Sequence, residues 1–355
     1  MTDVLTREEV ATQPVAVTPS EPTQRPRVGR FEYKWVALGV VLFGTIMTIL
    51  DATIVNIAIP TLQTDLHAAS YNDIAWVVTG YMLAQGAVIP MTGWATDRFG
   101  TKRLYLITMT LFTLASMACG VAQSLPELIL FRVVQGIGGG MLMPIGMTII
   151  LNAVGPRQMG RVMGIFGIPM LLAPALGPVL GGWFVQDFTW RLIFYVNVPI
   201  GIIGLVAASR LLVETKTSHK LRLDAFGLLT STPAVVALMY AVDQSTVIGW
   251  TSSLVLSLLA VSALFAASFV LSQLDRRGIA ALLMLPVIGL GLAIGVHEAP
   301  AHGWASVDTL SMLGAAALAA VCLVLARRAM PEPLLQLRLF KDPTFSWAMV
   351  LSFVI

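Results

Sequence analysis

From residue 35 onward, the sequence alternates long apolar runs with short polar segments. Each run reaches the ~20 residues of helix that cross the hydrocarbon core of a bilayer. The pattern predicts spans over Trp35–Ile59, Ala75–Trp94, Leu104–Gln123, Leu128–Leu151, Val162–Val185 and Leu192–Val213. Four more follow over Ala225–Val242, Ser253–Leu271, Ile279–Val296 and Asp308–Ala326. Another apolar run opens at Phe345 and stops at the last residue, Ile355. A half-span cannot satisfy its backbone in lipid, so the expectation is a chain truncated at its C-terminus. Residues 1–34 are polar and rich in Pro, Thr and Gln, the composition of a disordered tail. They are not a cleaved signal, because the first apolar run is too long for one. The expected organisation is therefore a tail (1–34), a six-helix bundle (35–213), a loop (214–224), four further helices (225–326), a second loop (327–344) and the start of a truncated span (345–355).

Composition agrees with this all-α polytopic membrane protein. Hydrophobic residues make up 57% of the chain and charged residues 12%, against ~25% charge in soluble domains. Mean hydropathy is +0.82. The net charge of +3 does not point to nucleic acid, because the basic residues are dispersed between the apolar runs. Cys119 and Cys322 each sit inside an apolar run and read as small packing residues.

Lys and Arg placement orients the spans. With the N-terminus in the cytoplasm, Arg25, Arg27, Arg30 and Lys34 lie inside. The same side takes Arg98, Lys102, Arg103, Arg157, Arg161, Arg210, Lys216, Lys220, Arg222, Arg276, Arg277, Arg327, Arg328, Arg338 and Lys341. Arg191 alone falls in an outer loop, and Arg132 alone within a span. An internal repeat follows the sixth span. Gly249-Trp250-Thr251-Ser252 recurs as Gly303-Trp304-Ala305-Ser306, with Leu228-Leu229 recurring as Leu282-Leu283 and Val242 as Val296. Each copy reads as one helical hairpin with its Gly-Trp at the outer turn. Chance similarity between apolar segments is the alternative.

Four motifs carry the functional signal. After the second span stands Gly93-Trp94-Ala95-Thr96-Asp97-Arg98-Phe99-Gly100-Thr101-Lys102-Arg103. It resembles the signature loop of the major facilitator superfamily, G-x-x-x-D-R-x-G-x-K-R. Gly93 and Gly100 permit a tight turn. Asp97 is placed to accept N–H bonds at the start of the next helix. The fourth span carries Leu128-x-x-x-Arg132-x-x-Gln135-Gly136-x-Gly138-Gly139-Gly140, similar to the superfamily's fourth-helix motif. The resemblance implies a part for Arg132 in proton transfer. An Arg at such depth costs at least about 2.5–3.5 kcal/mol on insertion scales unless it is paired or wetted.

The fifth span reads Gly164-x8-Ala173-x3-Gly177-Pro178-x2-Gly181-Gly182. It is similar to the antiporter motif G-x8-G-x3-G-P-x2-G-G, with Ala173 in place of a glycine. That likeness implies export. The physical expectation is a kinked helix with a smooth packing face. In the first span, Leu50-Asp51-Ala52-Thr53-Ile54-Val55-Asn56-Ile57-Ala58-Ile59-Pro60 resembles the first-helix motif of the fourteen-helix drug:proton antiporters. Trp190-Arg191-Leu192-Ile193-Phe194-Tyr195-Val196-Asn197-Val198-Pro199-Ile200-Gly201 fits the same family. A weaker family-like stretch is Pro333-Leu334-Leu335-Gln336-Leu337-Arg338-Leu339-Phe340.

Desolvation favours the neutral form of a carboxyl group, so an acid inside a span is where proton coupling is sought. Asp51 is that residue. Helix rise places it roughly 12 Å from the outer end of its helix, with Arg132 roughly 6–8 Å from the outer end of its own. The two can share a cavity directly, through Gln135 or through water; the alternative is a purely structural ion pair. Asn56, Gln135 and Met141 are candidate cavity residues, with Trp76, Tyr81, Met82 and Met143 as further soft or aromatic candidates. Helix packing is the ordinary alternative for these side chains.

Other chemistry is set aside. Gly136-x-Gly138 mimics a dinucleotide fingerprint, but Met141 occupies the third glycine position and no βαβ pattern surrounds it. His297-Glu298-x3-His302 is one residue too long for a zinc helix and contains Pro300. No G-x-x-x-x-G-K-[ST] phosphate loop occurs. No metal or cofactor is expected, and no enzymatic activity.

The resemblance implies a major facilitator six-helix N-terminal bundle of two inverted three-helix repeats. Additional hairpins follow it, and the C-terminal bundle is missing or supplied by a partner chain. It implies a multi-pass protein of the bacterial plasma (inner) membrane that exports hydrophobic or cationic drugs in exchange for protons. The alternatives are export of a specific metabolite, such as an amino acid or siderophore, and a truncated non-transporting membrane protein.

Overall fold

The computed structural model describes residues 27–28, 31–154, 158–215, 224–273, 284, 286–288, 291–292 and 306–325. Eight helical segments among them are long and apolar enough to cross a membrane. A two-residue antiparallel ladder pairs Arg27 with Glu32 and Val28 with Phe31. The first helix already begins at Tyr33. The segment expected to be a disordered tail therefore holds local structure at its end.

The six-helix region comprises α1 (Tyr33–Asp65), α2 (Tyr71–Val88), α3 (Thr92–Phe99), α4 (Thr101–Val121), α5 (Leu125–Ala153), α6 (Met159–Asp187), α7 (Leu192–Tyr195) and α8 (Asn197–Leu211). Beyond it lie α9 (Ala225–Ile248), α10 (Ser253–Gln273) and α11 (Val307–Leu325). Most of the span expected at Ile279–Val296, Gly303-Trp304-Ala305 of the second repeat copy, and the chain from 326 to 355 fall outside the described residues.

Local chemistry sets the helix ends. Ser70 and Asp73 form a reciprocal capping box at the start of α2: Asp73 N donates to Ser70 Oγ at 3.2 Å, and Ser70 N donates to Asp73 Oδ2 at 3.0 Å. The region expected as a loop after the second span is mostly helix. A 3₁₀ turn (Ile89–Met91) leads from α2 into α3, and a single residue separates α3 from α4. The break is Gly100, whose φ of +89° side-chain-bearing residues rarely adopt. The cap expected of Asp97 is supplied by Glu214, whose carboxylate accepts the N–H groups of Lys102 and Arg103, both at 3.1 Å. The expected sixth span is present as one apolar stretch, Leu192–Leu211. It carries a one-residue irregularity at Val196, between α7 and α8, where Pro199 has no N–H to return to the Tyr195 carbonyl.

Helix packing follows the glycines. A Cβ on Gly136 would lie 2.5 Å from the Tyr81 carbonyl oxygen, and one on Gly140 2.5 Å from that of Gln85. A Cβ on Gly138 would meet the α4 backbone at Thr108 and Phe112, 2.8 Å away. Helix α5 is thus wedged between α2 and α4 at backbone contact. Helix α1 packs on α5, α6 and α8, and α9 packs on α2 and α10.

Two apolar clusters fill the bundle. One gathers Met47, Tyr81, Phe112 and Met141, and the other Ile54, Val77, Cys119, Leu128 and Phe194. Along α1, α2, α4 and α5 the switch from one cluster to the other occurs over the same short stretch. That stretch holds the polar side chains described next.

Candidate functional site

Asp51 on α1, Arg132 and Gln135 on α5, and Asn197 at the start of α8 are all fully buried. They form one hydrogen-bonded unit. Arg132 Nη1 donates to Asp51 Oδ2 at 2.6 Å and to Gln135 Oε1 at 2.8 Å. Asp51 Oδ1 accepts from Gln135 Nε2 at 2.8 Å and from Asn197 Nδ2 at 2.9 Å. Arg132 Nε donates to the Val77 carbonyl of α2 at 3.0 Å. The Tyr81 ring lies beneath the guanidinium, with its centroid 3.8 Å from Arg132 Cζ.

Helix α4 joins through Ser116. Its hydroxyl accepts from Asn197 Nδ2 at 3.1 Å and donates to the Phe194 carbonyl at 2.9 Å. The Asp51 carboxylate thereby receives three donors from two other helices, and the Arg132 charge is held from both its edge and its face. The Arg132–Asp51 ion pair is buried on both sides. Asn197 Oδ1 is the exception to this saturation: it is buried and has no partner.

Of the sequence-expected site residues, Asp51, Arg132 and Gln135 meet here. Asn56 does not. It lines a separate groove of about 400 Å³ between α1, α2 and α9, together with Trp76. Met141 belongs to the apolar core rather than to a cavity, because the glycines around it draw α5 against its neighbours. Tyr81 serves the arginine, while Met82 and Met143 are exposed.

The signature-loop residues divide between α3 and α4: Gly93, Asp97 and Arg98 lie in α3, Gly100 forms the break, and Lys102 and Arg103 open α4. In the antiporter-like motif, Ala173, Gly177 and Gly181 are buried at four-residue spacing. Gly177 and Gly181 abut Thr53, Ile54 and Ile57 of α1. A Cβ on Gly164 or Gly182 would meet nothing within 4 Å. Pro178 is exposed.

Sequence reasoning missed four polar residues. Asn197 was visible only as one position of the Trp190–Gly201 segment. Ser116 looks like any serine inside an apolar helix. Glu214 follows the last turn of α8 with no local signal of a role. Asp243 on α9 is an acid near a helix end that the span pattern left outside the membrane.

A family model described as Major Facilitator Superfamily matches residues 41–355. The Multidrug resistance protein B homolog of Mycobacterium tuberculosis (strain ATCC 25618 / H37Rv) is 41% identical over 237 residues, 65% of this chain and 44% of that protein. The Multidrug export protein EmrB of Escherichia coli (strain K12) is 36% identical over 230 residues, 64% of this chain and 44% of its own length. The matched part of this chain thus spans less than half of either relative. Among solved structures, the proton:xylose symporter XylE superposes with a TM-score of 0.47 at 17% identity, covering 84% of this chain and 82% of XylE.

Proposed function

This chain belongs to the Major Facilitator Superfamily, and from that premise we propose that it is part of a secondary-active exporter of hydrophobic or cationic compounds, driven by protons through Asp51. The relatives named for multidrug resistance and export support the substrate class. The observation that carries the reading is the fully buried Asp51–Arg132 pair at 2.6 Å, with Gln135 and Asn197 completing the carboxylate's shell.

The chemistry runs through the charge of Asp51. As a carboxylate it accepts from α5 and α8, while Arg132 ties α5 to α2. These bonds pin four helices at one level. A proton on Asp51 removes the charge that Arg132, Gln135 and Asn197 converge on, and converts an acceptor into a donor. A half-turn of the Asn197 amide then offers its unpartnered Oδ1 to the new O–H. Protonation therefore exchanges one satisfied network for a weaker one and biases helix packing, which a two-state transporter needs from its coupling ion. The basic residues of the α3–α4 junction, with Arg161 and Arg210, support a cytoplasmic side for those loops and the N-terminus by the positive-inside rule. The membrane is the bacterial inner membrane.

The test is pH-gradient-driven ethidium transport by the full chain in proteoliposomes. Wild type should transport, and Asp51→Asn should lose at least tenfold while remaining inserted and folded. Wild-type rates in Asp51→Asn would move the coupling elsewhere, and no transport by wild type would refute export by this chain.

A further inference from the structure

The groove between α1, α2 and α9 contains a second acid. Asp243 and Tyr240 of α9 line it, opposite Trp76 and Thr79 of α2. On α9 the lining positions 240, 243, 244 and 247 follow helical spacing, as do 72, 75, 76 and 79 on α2. Both helices thus present one continuous stripe. The Trp76 and Tyr240 rings stand 5.8 Å apart, tilted by 40°.

The Asp243 carboxylate is bonded by the Thr79 hydroxyl, 3.2 Å from each oxygen. One O–H leaves most of a carboxylate's acceptor capacity unused. The Lys34–Glu32 and Arg132–Asp51 ion pairs lie elsewhere. Asp243 stands five residues before the end of α9, roughly 7.5 Å along the axis. An acid at that depth is costly, and its default reading is a functional site. The volume of about 400 Å³ suits a small organic molecule.

We propose that this groove binds a lipophilic organic cation, with Asp243 as counter-ion and the Trp76 and Tyr240 rings as its walls. Aromatic faces attract a desolvated cation through the negative face of the ring quadrupole. A delocalised cation sheds its water more readily than an ammonium, so the chemistry selects bulky phosphonium or quaternary ammonium compounds over simple amines. The site is separate from the buried Asp51 unit, and it stands whether or not Asp51 carries a proton. The two share a segment of α2: the Val77 carbonyl accepts from Arg132, and Val78 and Thr79 line the groove.

The experiment is equilibrium binding of radiolabelled tetraphenylphosphonium to the purified full chain in detergent, with tetraphenylborate as an anion of the same shape. Wild type should bind the cation saturably and the anion at least tenfold more weakly. Asp243→Asn should weaken cation binding at least tenfold. Gln244→Lys keeps Asp243 and adds a positive charge in the groove; it should do the same, so the result does not hang on one variant's folding. Asp51→Asn should bind tetraphenylphosphonium like wild type even where its proton-driven transport is lost. Unsaturable binding by wild type, equal affinity for the anion, or wild-type binding in both groove variants would each overturn the proposal.

Discussion

At the residue scale, the Asp51–Arg132 unit is costly to assemble and more costly to break. Taking two charges out of water costs several kcal/mol each, and their attraction with good hydrogen bonds recovers much of it. Removing one partner leaves the other buried and unpaired, at about 3–5 kcal/mol. Arg132→Ala should therefore lower the unfolding midpoint in detergent strongly. Asp51→Asn in the same chain should restore a large part of the loss, because no naked carboxylate remains. A double variant whose destabilisation equals the sum of the single ones would show that the two side chains are not coupled.

At the element scale, packing rather than propensity decides how the helices behave. Glycine is a poor helix former, yet α5 carries Gly136, Gly138, Gly139 and Gly140 through its centre. Their use is close approach: the backbones of α2 and α4 lie where Cβ atoms would sit. Gly136→Ala and Gly140→Ala should each cost about 1–3 kcal/mol through overpacking, seen as a lower midpoint in detergent. Gly164→Ala and Gly182→Ala meet open space on α6 and should leave the midpoint unchanged or slightly raised. A large loss of stability in the α6 pair would mean that some other surface packs there. Helix α9 follows the same logic, laid antiparallel along α2. Thr232 Oγ1 donates to the Ala87 carbonyl at 3.2 Å near one end, and Thr79 bonds Asp243 near the other.

At the scale of the whole molecule, the odd and even connections separate by charge. The α3–α4 junction carries Arg98, Lys102 and Arg103, whereas the α1–α2 turn carries His67 and no Lys or Arg. Cys119 and Cys322 are both buried, so new cysteines can be read against a quiet background. In intact cells, a membrane-impermeant maleimide should label His67→Cys, while Arg103→Cys should react only after permeabilisation. The reverse pattern would invert the proposed orientation.

The sequence by itself determined what depends on short-range information. Runs of apolar residues set where spans lie, because transfer into lipid is summed along one segment. The position of Arg132 inside such a run announced a buried charge before any partner was known. Asp51 was legible for the same reason, and helix rise alone put the two within reach in depth. Rotation about each helix axis and lateral order are not carried by hydropathy, since lipid-facing and core-facing positions in a bilayer are both apolar. Only the tertiary structure could therefore add Asn197 and Ser116 to the ion pair, move Met141 into the core, and send Asn56 to a different cavity from Asp51. It also gave the cap of α4 to Glu214, more than a hundred residues away, and set Asp243 against Thr79. Each of these contacts joins chain segments that no local rule relates, and close packing of rigid helices decides them.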